Sequence, residues 1–388
     1  MIYVLIFLTF LIFAIIFDIG KASLNLAKIC YVLECIILIC LAGLRFRIGG
    51  DSLTYEDDFF EIPDLRYLLD TDFSREVYQP LWIALCSICK SFGSFTALQI
   101  AQAIIVNVGM FTIIKRYSRH RFTMVLVYYV IFYLYFNTEI LRQAISIIIF
   151  LFAYPYLIRK KYLRYYIYIY IAWLFHAASI FLFIVPFLYA LFKKDLSIKR
   201  ILTITILSLI FVIYCGDLIN WVVENSFFKG ATSAKMVGYY DVSRNINGYL
   251  KVFIDISIVV LSYILLQKTK RNNAFTNSVF GIYLVLYILG INIGFFSRLA
   301  QFFVPFYYII LVEIIFASKY YGKVVFLAWC ITLYTCVEQV YSYTKDNGDL
   351  NYGVTFRFYE RYYPYHSIFD PVYEPARERF RGNEFNNR

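Results

Sequence analysis

The sequence predicts an all-α fold, a polytopic transmembrane helix bundle of about ten to twelve membrane segments. Three observations predict it. The first is composition. Of 388 residues, 61% are apolar and only 16% charged, and Phe and Tyr alone number 39 and 38. A soluble domain is about 45–50% apolar and about 25% charged. The second is run length: stretches close to the roughly 20 apolar residues of a spanning helix recur along the whole chain. The third is continuity. The runs are unbroken, where the strands of a β-barrel would alternate polar and apolar residues.

The opening MIYVLIFLTFLIFAIIF has no basic leader and no small-residue cleavage site, so it reads as a retained first helix rather than a signal peptide. Further apolar segments fall near 27–44, 96–114, 122–138, 140–158, 165–192, 201–214, 249–266, 274–291, 299–317 and 324–340. Basic clusters separate them. Lys115, Arg116, Arg119 and Arg121 form one, and Arg159, Lys160, Lys161 and Arg164 the next. Lys193, Lys194, Lys199 and Arg200 form a third, Lys268, Lys270 and Arg271 a fourth, and Lys319 and Lys323 a weaker fifth. Such clusters mark cytoplasmic loops. The same placement explains the net charge of +11 without a nucleic-acid partner.

Counting crossings from these clusters places the acidic loop 45–76, the 215–248 loop and the tail from Tyr341 onward outside. Val77–Phe92 then lies along the outer surface or re-enters from it. The chain divides into a bundle, 1–340, and a Tyr-rich tail, 341–388, with an ordered start and a frayed end. Segment 165–192 is basic at both flanks, too long for one crossing and too short for two. It reads as two short helices, or one broken helix, with His176 at the apex.

The eight Cys give no disulfide or metal framework. Cys86 and Cys89 form a CxxC, but inside an apolar helical run with no second pair. No DxD or clustered His/Asp set suggests a metal. No phosphate loop, dinucleotide fingerprint or nucleophile elbow suggests a cofactor or a serine hydrolase. The expectation is an enzyme without cofactor or metal.

Ionisable residues at membrane depth are expensive and mark function. Leu44-Arg45-Phe46-Arg47-Ile48-Gly49-Gly50-Asp51 ends a helix and opens the acidic loop, with Tyr55 following. Two Arg and the backbone N–H groups of a Gly-Gly turn suit a phosphate. The plainer reading is an Arg–Asp pair capping a helix end. Glu139, Arg142 and Gln143 lie at another outer boundary. Glu139 and Arg142, three apart, either pair on one helical face or serve a site; Gln143 and Ser146 carry polar atoms further inward. His176 is a hydrogen-bonded structural residue or, at its apex, a functional one. Arg298 stands at a further outer boundary, and Asp241, Arg244 and Lys251 are weaker candidates. Snorkelling is the alternative for each isolated Arg. Several Arg, two acids and a His near the outer leaflet fit chemistry on a lipid-linked phosphate. Arg would hold the leaving group, and a carboxylate or His would take a proton from an attacking hydroxyl.

At these residues the chain resembles a known family. LRFRIGGDSLTYEDDF is similar to the R-x-G-x-D-x-x-x-Y motif of EpsG-like proteins, within the wider group of Wzy-type bacterial polysaccharide polymerases. EILRQAISI, AWLFHAASI after the basic KKYLRY loop, and FFSRLAQFFVPFY continue the resemblance over roughly residues 1–340. Gly50 departs from it, standing where the family more often has Thr, and the tail after Tyr341 carries no match.

The resemblance implies a membrane glycosyltransferase joining undecaprenyl-pyrophosphate-linked oligosaccharide repeat units into a capsular, O-antigen or exopolysaccharide chain. It implies a bacterial plasma membrane location with a site facing the periplasm or cell exterior, and a flippase and chain-length regulator as partners. It points to Arg45, Arg47, Asp51, Glu139, Arg142, Gln143, His176 and Arg298. Arg45, Arg142 and Arg298 are then pyrophosphate-holding candidates, Asp51 and His176 compete as general base, and Glu139 orients Arg142. Two other classes remain: a flippase or transporter of lipid-linked saccharides, and another membrane transferase such as an O-antigen ligase or O-acetyltransferase.

Overall fold

The computed structural model describes residues 2–20, 23–71, 78–194, 197–225, 246–291, 293–317, 320–336, 346–349, 354–375 and 377–378. Helices dominate. In chain order they are α1 (Ile2–Phe13, continued by π-helical turns to Ile19), α2 (Leu24–Gly43), α3 (Gly50–Glu61), α4 (Pro80–Lys90), α5 (Phe95–Tyr117) and α6 (Arg121–Tyr128). Then come α7 (Leu141–Ile158), α8 (Tyr162–Phe175), α9 (Val185–Phe192), α10 (Ile198–Asn225), α11 (Ile246–Lys268), α12 (Ala274–Leu289), α13 (Gly294–Ala317) and α14 (Tyr320–Cys336). A short antiparallel hairpin, β1 (Asp346–Asp349) with β2 (Val354–Arg357), follows. Among the described residues, five helices are long and apolar enough to cross a membrane: α1 with its extension, α2, α5, α7 and α13. The protein is a multi-pass, all-α membrane bundle.

The helices fall into two compact units. One comprises Met1–Ile149, Ile171–Ala177 and Lys319–Arg388; the other Phe150–Tyr170 and Ala178–Ser318. In the first, glycine sets helix spacing. A Cβ on Gly109 would lie 2.3 Å from the Ile148 side chain, so α5 and α7 approach closely only because none is there. Tyrosine hydroxyls join neighbours through backbone carbonyls, as Tyr133 does to Leu38 (2.6 Å) and Tyr31 to Phe111 (2.7 Å). α1 and α2 turn outward, with Leu5 57% and Ile29 59% exposed. Such apolar faces belong against lipid. In the second unit, Tyr154, Phe275, Phe303 and Phe306 pack ring to ring, and the Tyr154 hydroxyl bonds Ser278 (2.8 Å).

The break expected within 165–192 is present. α8 stops at Phe175, a 3₁₀ segment runs Ala177–Ile184, and α9 follows with proline in its first turn. The chain folds back on itself, for Tyr165 bonds the Leu182 carbonyl (2.7 Å) and Tyr166 stacks on Phe183. α4 has 11 residues, too few to span. Much of the 215–248 loop, with Asp241 and Arg244, lies outside the described residues.

Candidate active site

The site is built on a break in a helix. α6 runs into π-helical turns at Tyr129–Tyr133 and Tyr135–Glu139, and Ile140 leaves helical geometry at φ −112°, ψ 48°. π-turns recur at functional sites because they interrupt the regular ladder. A buried polar network holds this one. Asn137 is fully buried, accepts from Asn107 (2.9 Å) and donates to the Tyr133 carbonyl (2.8 Å), while Gln102 donates to the Phe136 carbonyl (3.1 Å).

Glu139 projects from the end of the break toward the N-terminus of α3. Its two oxygens accept the backbone N–H groups of Gly50 and Asp51, each at 3.0 Å. A carboxylate there satisfies orphan amides and meets the positive end of the helix dipole. Gly49 makes the approach possible. Its φ is +105°, and a Cβ would stand 2.7 Å from Thr138 Cβ. Tyr362 donates its hydroxyl to Glu139, and Arg361 Nη1 lies 4.0 Å from the carboxylate. Glu139 was expected to orient Arg142; its partners among the described residues are α3 and the tail instead.

The tail is part of this site. Arg45 pairs with Ser367 in an isolated antiparallel bridge, Phe46 N–H donates to the His366 carbonyl (2.9 Å) and Gly49 N–H to the Arg361 carbonyl (2.9 Å). Arg47, at φ +51°, forks onto Glu378 (2.7 and 2.8 Å) and also meets Glu56 (2.5 Å). Burial pulls its guanidinium down, but the Glu378 bonds and Glu56 outweigh it and hold the charge. Arg377, 2% exposed, donates to the Glu360 and Pro364 carbonyls. The tail and the 45–61 segment therefore lie on one side of the membrane.

Arg45 is sealed, at 1% exposure. It donates to the Ala42 and Ile48 carbonyls, capping the C-terminal end of α2. Burial lowers its pKa to about 10, so the charge survives at neutral pH. Arg47 is taken up by two carboxylates, and Arg45, although its Nη2 has no hydrogen-bond partner among the described residues, is closed off from solvent.

Arg142 differs. It opens α7, half-buried. Its guanidinium lies 4.2 Å from the Tyr78 ring centroid and 5.8 Å from that of Tyr55, and Nη1 bonds Gln79 (3.3 Å). The Tyr78 hydroxyl is held by Asp58. Burial raises the Tyr55 pKa against the opposing pull of Arg142. Among the described residues no carboxylate lies within ion-pair distance of Arg142. Asp51, exposed, stands in the first turn of α3, one turn before Tyr55.

His176 follows the end of α8. The Ala172 carbonyl accepts both His176 N–H (3.0 Å) and Ser146 Oγ (2.8 Å), so α7 fixes the end of the helix that carries the His. Gln143, 2% exposed, lies one turn before Ser146. Arg298 stands in the first turns of α13, in the other unit. Among the described residues no three His, Cys, Asp or Glu cluster as metal ligands. Arg361 and Tyr362 are the residues that the sequence reading missed; only the tail's tyrosines and mixed charge hinted at an ordered partner.

No curated protein and no solved structure matches the chain. The EpsG family model does, over residues 28–367, well past Tyr341 and through the tail segment that closes over Glu139. A break carrying one carboxylate and one cation, a clamped Gly-Gly turn and a multi-pass bundle thus lie within the matched span, and the chain belongs to the EpsG family of Wzy-like polymerases, which are transmembrane glycosyltransferases.

Proposed function

We propose that this protein polymerises undecaprenyl-pyrophosphate-linked oligosaccharide repeat units at the outer face of the plasma membrane, without a metal. The growing chain is the donor, and a hydroxyl of the incoming unit is the acceptor. That oxygen bonds the donor's anomeric carbon as the bond from that carbon to the pyrophosphate oxygen breaks. The bonding pair leaves with undecaprenyl pyrophosphate, and the hydroxyl proton passes to a base.

The observation that carries this reading is Arg142: a cation backed by two tyrosine rings, with no carboxylate partner among the described residues. A guanidinium so placed suits a developing pyrophosphate anion. Asp51 and His176 compete as base; Asp51 is exposed beside the Gly-Gly turn, and His176 ends a helix tied to α7. Arg298 is a second phosphate candidate. Glu139 acts through α3, by fixing the turn that carries Asp51. A flippase would deliver the acceptor, and a chain-length regulator would set when extension stops.

Purified full-length protein with a defined lipid-linked repeat unit should yield a ladder of products on a gel. Intact monomer after prolonged incubation would overturn the polymerase reading, and movement of the lipid across a vesicle without a ladder would replace it with a transporter. Single cysteines at Asp58 and Arg119 test the side: label should enter the first from outside intact cells and not the second.

A further inference from the structure

The second unit holds polar groups that the scheme above does not use. Polar atoms on membrane helices are costly and mark function, yet α11, α12 and α13 gather several at one place. Asp255 of α11 accepts a hydrogen bond from the Tyr287 hydroxyl at 2.6 Å. Tyr287 and Tyr283, one turn apart on α12, line a cavity of about 320 Å³. Ser297, Gln301 and Val304, at the start of α13, line it too. Gly290 allows the two helices to meet at its end, since a Cβ there would come within 2.7 Å of Ser297 N. Tyr283 is fixed by stacking on Tyr307, with centroids 4.6 Å apart and planes at 27°.

We propose that this cavity binds a sugar ring of the oligosaccharide substrate. Tyrosine faces suit the C–H face of a pyranose, and an amide, a hydroxyl and phenol groups suit its hydroxyls. The volume lies at the small end of ligand sites, about 300–1,000 Å³. None of the described lining residues is Lys or Arg, so the chemistry is that of a neutral polar ligand and not of the pyrophosphate. Asp255 is a positioning residue, acting through Tyr287. The cavity and its lining stand on their own; the identity of the ligand rests on the polymerase reading.

The test is titration calorimetry on the purified full-length protein. The probe is the repeat-unit oligosaccharide released from its lipid carrier. Gln301→Leu should weaken binding about tenfold, the loss of one or two hydrogen bonds from a partly dry site. Tyr287→Phe, which keeps the ring and breaks the bond to Asp255, should weaken it about threefold. Weaker binding by either variant, at unchanged melting temperature, supports the site. Wild-type affinity in both, or no binding to the wild-type protein, overturns it. A chain that binds the oligosaccharide through Gln301 yet forms no ladder keeps this site and loses the polymerase reading.

Discussion

Two regions of the first unit start from the same break and meet opposite fates. Glu139, its last residue, is enclosed: two backbone amides, a phenol and a guanidinium surround a carboxylate only 7% exposed. Arg142, three positions on, rests on aromatic rings, the Tyr55 hydroxyl and one amide oxygen. A charge whose partners are all protein holds structure together. A charge with no carboxylate beside it among the described residues, in a place where burial is expensive, is a candidate for binding an incoming ion. The contrast separates the arginines as well. Arg47 is neutralised by two carboxylates and Arg45 donates to backbone carbonyls, whereas Arg142 meets no carboxylate among the described residues, which is why the proposed scheme gives it the phosphate.

The sharpest way to break the comparison is to remove the base. Asp51→Asn or His176→Gln should lower polymerisation by about 10²–10⁴-fold, whichever of the two takes the proton. His176→Gln should also flatten the pH–rate profile if the imidazole is that base. Wild-type rates in both, at equal membrane abundance, would end the scheme. Arg142→Lys keeps the charge but loses the fork. Single-turnover assays should show a fall of about 10²–10³, while the melting temperature stays put; a fall in melting temperature instead would make Arg142 a structural cation like Arg47.

Across the break the expectation reverses. Glu139→Ala leaves the Gly50 and Asp51 amides without an acceptor and should destabilise the protein by about 2–3 kcal/mol in a detergent melt. Glu139→Gln, which retains an oxygen, should cost less. Equal stability of wild type and Glu139→Ala would mean that the clamp is ornamental. Glu378→Gln loosens one end of the tail and should cost about 1 kcal/mol, because the carboxylate is partly exposed. Faster proteolysis of the tail would register it. The smallest effect is that of EDTA, which should leave the ladder unchanged; loss of activity restored by Mg²⁺ or Mn²⁺ would assign the acidic 51–64 segment to a metal.

Much of the bundle was legible because membrane helices announce themselves by apolar run length. The break at His176 was legible too, from basic flanks on a run of awkward length. The turn at Glu139 was not. Spacing of three implies a shared helical face only while the helix is regular. Here Ile140 breaks it, so Glu139 and Arg142 point to different partners. An Arg–Asp pair capping the helix end was one of two readings that sequence allowed; Arg45 does cap that end, but onto the Ala42 and Ile48 carbonyls. The tail was illegible for another reason. Arg47 and Glu378 lie 331 positions apart, and no local pattern in Tyr-rich, mixed-charge sequence names so distant a partner.

That separation also fixes an order of events during biosynthesis. The ribosome makes Arg47 early and Glu378 only after the remaining membrane helices have been threaded. At about 5–20 residues per second, 331 residues put roughly 15–65 s between the two. For the later part of that interval, once Glu139 has been made, the Gly-Gly turn and Glu139 exist without Arg361, Tyr362 and Glu378 to close over them. The nascent enzyme therefore passes through a stage in which its bundle is inserted but its clamp is open. A translation block placed before Phe358 should leave a membrane-embedded chain with no competent site.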